Sequence, residues 1–280
     1  MKFNRKNCRG MLALVTGADS GIGLCFCRAL ADRGVSLMMV SNRPEELTEC
    51  AAEIAQGYGV DTHTCCVDLS THDAAETLMD FIHVHDLRPS LLINNAGIFD
   101  FKAFADMSPK RIGIYCSLHI RTLTELTWLM ANRWIADGTK GFILNMSSMS
   151  CWTPMPGISM YAASKAYIRV FSRSIGYELR DSGISVTVAC PGGIATDLFG
   201  LPEHLKRFAV RIGVLQTPEK FVVKALRRTF RRRRQYINGW LNRLSIVFVG
   251  ITPTPVRMLI KHRLLDRLNP GKTQSSPDSL

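Results

Sequence analysis

The stretch MLALVTGADSGIG, Met11 to Gly23, joins five consecutive apolar residues to a glycine-rich turn and then to an amphipathic run that starts at Gly21. Apolar residues in succession, without the alternation of a half-exposed strand, read as a strand buried on both faces. A strand that passes through glycines straight into a helix aims backbone N–H groups and the positive end of the helix dipole at one point, where phosphate binds. Thr16, Gly17, Ser20, Gly21, Ile22 and Gly23 are thus candidate phosphate-binding residues, although their glycine spacing meets the G-x-G-x-x-G fingerprint only in part.

Working outward, further apolar runs at Val35 to Val40, Thr62 to Val67, Leu91 to Ile93, Phe142 to Met146 and Ile184 to Ala189 are predicted strands. Helical spacing fills the intervals near 21–33, 44–57, 71–84, 108–136 and 160–181. Strict alternation of strand and helix predicts an α/β fold: a single doubly wound parallel sheet with helices on both faces. In such sheets ligands bind at the carboxyl ends of strands. Asp68 and Leu69 end the third strand, with Asp68 placed for an adenine amine, and Asn94, Asn95, Ala96 and Gly97 follow the fourth, their side chains placed to pin the turn.

After Pro191-Gly192-Gly193 the pattern changes. Residues 194–217 lack a clear period and read as a lid, Pro218 opens a helix toward Arg232, and Gln235 to Ile237 closes the sheet. A domain over 1–237 is expected, followed by a basic, apolar helical extension over 238–280 that turns at Asn238-Gly239.

The 280 residues are 46% hydrophobic and 21% charged, which excludes disordered and low-complexity classes. Neither the uncharged stretch Gly141 to Ser164, with Asn145 and two prolines, nor Leu244 to Val256, with Pro253 and Pro255, reads as a spanning helix. The opening MKFNRKNCRG has no signal segment behind it, so a cytoplasmic chain is expected. Nine cysteines without zinc or redox spacing read as free, mostly buried thiols. His83 and His85 read as surface residues, and no metal is expected. Charge is uneven: residues 1–200 balance at −1, whereas 201–280 carry 17 Lys and Arg against 4 Asp and Glu, or +13.

Arg227, Arg228 and Arg231 to Arg234 form the densest part of that excess. With Trp240, Leu241, Ile246, Phe248 and Leu259 nearby, the extension has the composition of a peripheral contact with anionic lipid. The same apolar residues would equally cover a substrate cleft or a subunit interface. Nucleic-acid binding is disfavoured, since apart from Phe230 and Tyr236 the block has no interleaved aromatics.

The chemistry lies further along. Tyr161 and Lys165 are four apart on a predicted helix and share one face. A free phenol ionises near pH 10, too high for proton transfer at neutrality, and a neighbouring ammonium favours the phenolate. Ser148, at the end of the fifth strand, is placed to donate to the same substrate oxygen. Phe99, Phe101, Met149, Trp152, Met155, Met160 and Phe199 flank these residues, and they either form the wall of a site for a hydrophobic carbonyl or alcohol substrate (fatty-acyl, steroid-like or aromatic) or simply cap the core.

TGADSGIG, NNAG, Ser148 with YAASK, and PGGIAT resemble, in order and spacing, the short-chain dehydrogenase/reductase family over residues 10 to about 200. The resemblance implies a Rossmann-type domain binding NAD(H) or NADP(H). It also implies Tyr161 as general acid/base, Lys165 on the nicotinamide ribose, Ser148 orienting the carbonyl, and Pro191, Gly192, Ile194 and Thr196 holding the nicotinamide. A homo-oligomer, dimer or tetramer, built through the long helices at 108–136 and 160–181 is implied as well.

Two positions depart from the family pattern. His119 stands where the family's proton-relay asparagine is expected, and it is either a substitute relay, the mark of a slow enzyme, or a structural histidine. Asn42 takes the place of an arginine usual in NADP-preferring members, with Arg43 directly after it and no acid at Ser41, Asn42 or Arg43, which leans toward NADP(H). An alternative on the same fold is a dinucleotide-sensing or scaffolding protein of low activity.

Overall fold

Successive side chains of a strand point to opposite faces, so a run of consecutive apolar residues has to be covered twice. A computed structural model describes residues 3–192, 216–239, 242, 243, 246 and 252–265, and in it this double cover is complete. The strands are β1 (Leu12–Thr16), β2 (Ser36–Ser41), β3 (Thr62–Cys66), β4 (Leu91–Asn94), β5 (Phe142–Met146), β6 (Ser185–Cys190) and β7 (Gln235–Ile237). They form one parallel sheet in the order β3-β2-β1-β4-β5-β6-β7.

Ala13 and Val15 of β1, Leu37 and Met39 of β2, and Leu91 and Ile93 of β4 enter one core. Leu14, Met38, Val40 and Leu92 enter the other. The first core is closed by α2 (Gly21–Ala31), α3 (Pro44–Tyr58) and α8 (Pro218–Phe230) through residues such as Phe26, Leu30, Ile54, Phe221 and Phe230. The second is closed by α4 (Ala74–Val84) and α6 (Thr122–Asp137) through Leu78, Ile82, Leu126, Met130 and Trp134. A single turn, α1 (Arg5–Cys8), precedes β1, while α5 (Pro109–Cys116) and α7 (Ser159–Glu178) border the site and α9 (Thr254–Ile260) belongs to the extension.

Three expectations need correction. The predicted helix at 71–84 begins only at Ala74, because Asp68 holds residues 68–71 in a turn: its carboxylate accepts from the Ser70 amide at 2.9 Å and its carbonyl from the Thr71 amide at 3.1 Å. The helix over 108–136 is interrupted by a π-turn at Ser117–Arg121, which rotates His119 inward, and such wide turns occur disproportionately at functional sites. The thiols are unpaired, but only Cys8, Cys27, Cys65 and Cys190 are buried; Cys66, at the end of edge strand β3, and Cys116 are exposed. His83 and His85 are exposed on and just after α4. Of the lid expected over 194–217, residues 194–215 lie outside the described residues, as do Trp240, Leu241, Phe248 and most of the predicted helical hairpin. No described helix is long and apolar enough to cross a membrane.

Candidate active site

The sheet order reverses between β1 and β4, and at their carboxyl ends a cleft of about 390 Å³ opens. One wall of it is the β1–α2 turn. Gly23 is required there by contact: a Cβ at this position would sit 1.8 Å from the Gly17 carbonyl oxygen. The Asn95 side chain donates to the carbonyls of Thr16, at 3.0 Å, and Gly17, at 3.2 Å. The Thr16 hydroxyl oxygen accepts from the amides of Asn95 and Ala96, at 2.9 and 3.0 Å. The turn is thus pinned with Gly17, Ser20, Gly21 and Ile22 along the cleft, at the amino end of α2. Asn42, Arg43, Asp68, Leu69, Ala96 and Gly97 line the same cleft, as do Pro191 and Gly192. Ile194 and Thr196 lie outside the described residues.

The opposite wall holds Ser148, Tyr161 and Lys165. Ser148 ends the strand-to-turn passage after β5 and caps the short helical turn Met149–Trp152, accepting from the Ser150 amide at 3.2 Å. Tyr161 and Lys165 sit one turn apart on α7, both buried. Lys165 Nζ donates to the Met146 carbonyl at 3.0 Å and lies 5.6 Å from the centre of the Tyr161 ring. Burial lowers the Lys165 ammonium to about 8. Burial also pushes the Tyr161 phenol above its ordinary value, while a hydrogen bond with Ser148 pulls it back. Desolvation outweighs the other contributions to this shift.

His119 is fully buried, and Gly97 must be glycine to admit it, since a Cβ there would stand 2.9 Å from His119 Nε2. The Ile98 amide donates to Nε2 at 3.0 Å, so the proton must be on Nδ1, which faces Ser164 Oγ at 2.8 Å. The Ser164 hydroxyl in turn donates to the Tyr161 carbonyl at 2.9 Å. Burial, Lys165 and Arg111 together hold the imidazole neutral, well below its usual pKa. Both ring nitrogens are committed, which leaves neither for a relay water.

Sequence reasoning missed several residues that hold these groups. Asp19, buried, forms an ion pair with Arg43, which also lies 3.5 Å from Glu46. Arg43 is thus not the lone cation its neighbours in sequence imply. Asn94, expected to help pin the turn, instead donates to Thr127 at 3.0 Å and to Asn145 at 2.9 Å; with Asn145 donating to Ser172 at 2.9 Å this makes a buried network beneath the site that the sequence did not show. Asn238, expected only as part of a turn, accepts from the Gly192 amide at 2.6 Å.

Phe99 meets the Tyr161 ring edge to face at 5.0 Å. Phe101, Met155 and Met160 pack with Tyr115, Ile158 and Tyr161 in one apolar cluster. Trp152 belongs instead to a cluster with Ile168 and Val188, and Phe199 lies outside the described residues. The glycine-rich turn, the helix end behind it and the paired Tyr161 and Lys165 define a dinucleotide-binding oxidoreductase site.

The model of the short chain dehydrogenase family matches residues 11–203, and the chain belongs to that family, one of NAD(P)-dependent oxidoreductases. It is 29% identical over 262 residues to very-long-chain 3-oxoacyl-CoA reductase-B of Danio rerio, covering 92% of this chain and 80% of that protein. A solved 7beta-hydroxysteroid dehydrogenase superposes with a TM-score of 0.81 at 25% identity, over 93% of this chain and all of that one. A short-chain dehydrogenase from Sphingobium yanoikuyae in complex with NADPH gives 0.74 at 26% identity, over 95% and 98%.

Proposed function

We propose that the protein interconverts a hydrophobic ketone or aldehyde with its alcohol, using NADP(H) and Tyr161 as the acid/base. The observation that carries this reading is the setting of Tyr161, whose phenol meets Ser148 while its ring forms part of a wall of Phe99, Met155 and Met160. A nicotinamide cofactor, when bound, supplies the hydride. The Gly17 to Gly23 turn would hold its pyrophosphate, Asp68 and Leu69 its adenine side, and Asn95 to Gly97 with Pro191, Gly192, Ile194 and Thr196 its nicotinamide side.

Ser148 donates to the carbonyl oxygen, Tyr161 delivers the proton to that oxygen as it becomes an alkoxide, and Lys165 holds the ribose and keeps positive charge beside the phenol. His119 acts as a positioning residue rather than through its own proton. NADP(H) is favoured by Arg43 at the rim of the cleft, opposed in part by Asp19. The relatives named for reduction of very-long-chain 3-oxoacyl-CoA and for a 7beta-hydroxysteroid support bulky apolar substrates. Anaerobic incubation with NADPH or NADH and a panel of hydrophobic ketones, read at the nicotinamide absorbance, tests this. Turnover of at least one ketone is expected, faster with NADPH; cofactor binding without turnover of any would favour a sensing or scaffolding role.

Trp128 and Ile135 on α6 and Val170 and Tyr177 on α7 are exposed, which supports assembly through these helices. Light scattering on the wild type and on Trp128→Lys with Val170→Lys tests it, with a smaller species expected for the variant. Val256, Met258 and Leu259 of α9 are also exposed, close to the basic residues Arg257 and Arg263. That pairing supports contact of the extension with anionic lipid. Co-sedimentation with anionic vesicles should then fall when Arg231 to Arg234 are changed to glutamine.

A further inference from the structure

Cys190 ends β6, directly before Pro191, which lines the cleft. The chain after β5 runs alongside it: the Ser147 amide donates to the Ala189 carbonyl and the Met149 amide to the Pro191 carbonyl, both at 2.8 Å. The chain then turns back, with the Cys151 amide donating to the Ser148 carbonyl at 3.1 Å. Cys151 thereby comes to pack in the same small apolar cluster as Cys190, beside Ile168 and Trp152, although the two are far apart in sequence.

Their environments differ. Cys190 is fully buried and Cys151 partly accessible. Beside them the Arg169 guanidinium stacks on Trp152, 4.4 Å from the ring centre, and its buried Nε has no hydrogen-bond partner. The interaction with Cys190, with the Arg169 charge added, holds the Cys151 thiol below its ordinary value, whereas Cys190 is held well above it by Cys151 and by burial. A partly accessible thiol whose ionisation is favoured, next to a buried one whose ionisation is not, is the arrangement of an attacking and a resolving cysteine.

We propose that Cys151 and Cys190 form a reversible disulfide beneath the active site when the protein meets a peroxide. The Cys151 thiolate attacks one peroxide oxygen, the O–O bond breaks, and hydroxide leaves to give a sulfenic acid. The Cys190 sulfur then attacks the Cys151 sulfur, the S–O bond breaks, and the oxygen departs as water with the thiol's proton. In sum two thiols lose two electrons and two protons, and the peroxide is reduced to two waters. The new bond would tie the turn that carries Ser148 to the segment leading into Pro191 and Gly192, so that the Ser148 hydroxyl shifts relative to Tyr161.

The test is a cysteine map of the full chain after brief hydrogen peroxide treatment, alkylation of remaining thiols and digestion. A cross-linked peptide joining Cys151 to Cys190 is expected, lighter than the two reduced peptides by about 2 Da and abolished by a dithiol. Cys190→Ser should stop at a Cys151 sulfenic acid that dimedone traps. Oxidation of exposed Cys66 and Cys116 while Cys151 and Cys190 are both still alkylated, or a Cys151 disulfide to any other cysteine, would overturn the proposal. The wild-type map decides the matter even where the variant does not fold. It needs no substrate, so its outcome is separate from that of the proposed reductase reaction.

Discussion

Where Gly23 meets the Gly17 carbonyl, two stretches of backbone approach so closely that a single added carbon has no room; where His119 meets Ser164, side chains hold side chains through hydrogen bonds. The glycine-turn wall and the Tyr161 wall of one cleft thus meet different constraints at these two points. At Gly23 shape limits the first, where an added carbon is costly, while Thr16 and Asn95 pin the rest of the turn. Satisfied polar groups rule the second, so a replacement is tolerated where it keeps the hydrogen bonds.

Lys165 belongs to both walls, because its ammonium lies beside Tyr161 and in the cofactor cleft. Lys165→Ala is therefore expected to have the largest effect, lowering turnover by about 10²- to 10⁴-fold and weakening cofactor binding as well, read by steady-state kinetics and cofactor titration. In the wild type, kcat/KM should decline as the pH rises past about 8, where the buried ammonium loses its proton. Gly23→Ala sharpens the comparison from the other side. Overpacking of about 1–3 kcal/mol corresponds to a loss of roughly ten- to hundredfold in NADPH affinity, with secondary structure retained by circular dichroism.

Selectivity follows in size. Arg43→Ala should remove most of an NADPH preference worth about 1.5–3 kcal/mol, the contribution of one charge-assisted contact to phosphate. Asp19→Asn should enlarge that preference, since it removes the carboxylate that now pairs with Arg43. Binding titrations of both cofactors check the two variants, and an unchanged ratio in Arg43→Ala would contradict the assignment.

The smallest effect is reserved for His119→Asn, which still offers an acceptor to the Ile98 amide; a loss of about 1 kcal/mol in stability is expected from denaturant unfolding at pH 7. The sign with pH is fixed by the lowered pKa of His119 in the fold. Its contribution is complete above the unfolded value of 6.5 and is lost as pH falls below it, because the unfolded chain then binds a proton the folded chain refuses. Between pH 7 and pH 5 the wild type should lose stability that His119→Asn keeps.

The same contrast explains what the sequence made legible. The glycine turn could be read because its constraint is local: a strand, three glycines and a helix within thirteen residues. Tyr161 and Lys165 could be read because one helical turn joins them. The role of His119 could not, because Ile98 and Ser164 stand 21 and 45 residues away and only the π-turn brings them to it. Arg43 looked unopposed for a similar reason: Asp19 belongs to the turn after β1 and meets it only when β1 and β2 pair. Burial, which decides the direction of the Tyr161 shift, is a property of the assembled cleft and of no short stretch of sequence.

The central claim is that Tyr161 delivers the proton while other residues hold the cofactor. Its most direct test is Tyr161→Phe, with turnover of a hydrophobic ketone and NADPH affinity measured on the same preparation. The account predicts loss of turnover, on the order of 10²- to 10⁴-fold, with NADPH affinity within a few-fold of wild type, since the ring remains to pack against Phe99. Retention of more than roughly a tenth of the wild-type turnover, well above what loss of a general acid permits, would contradict it.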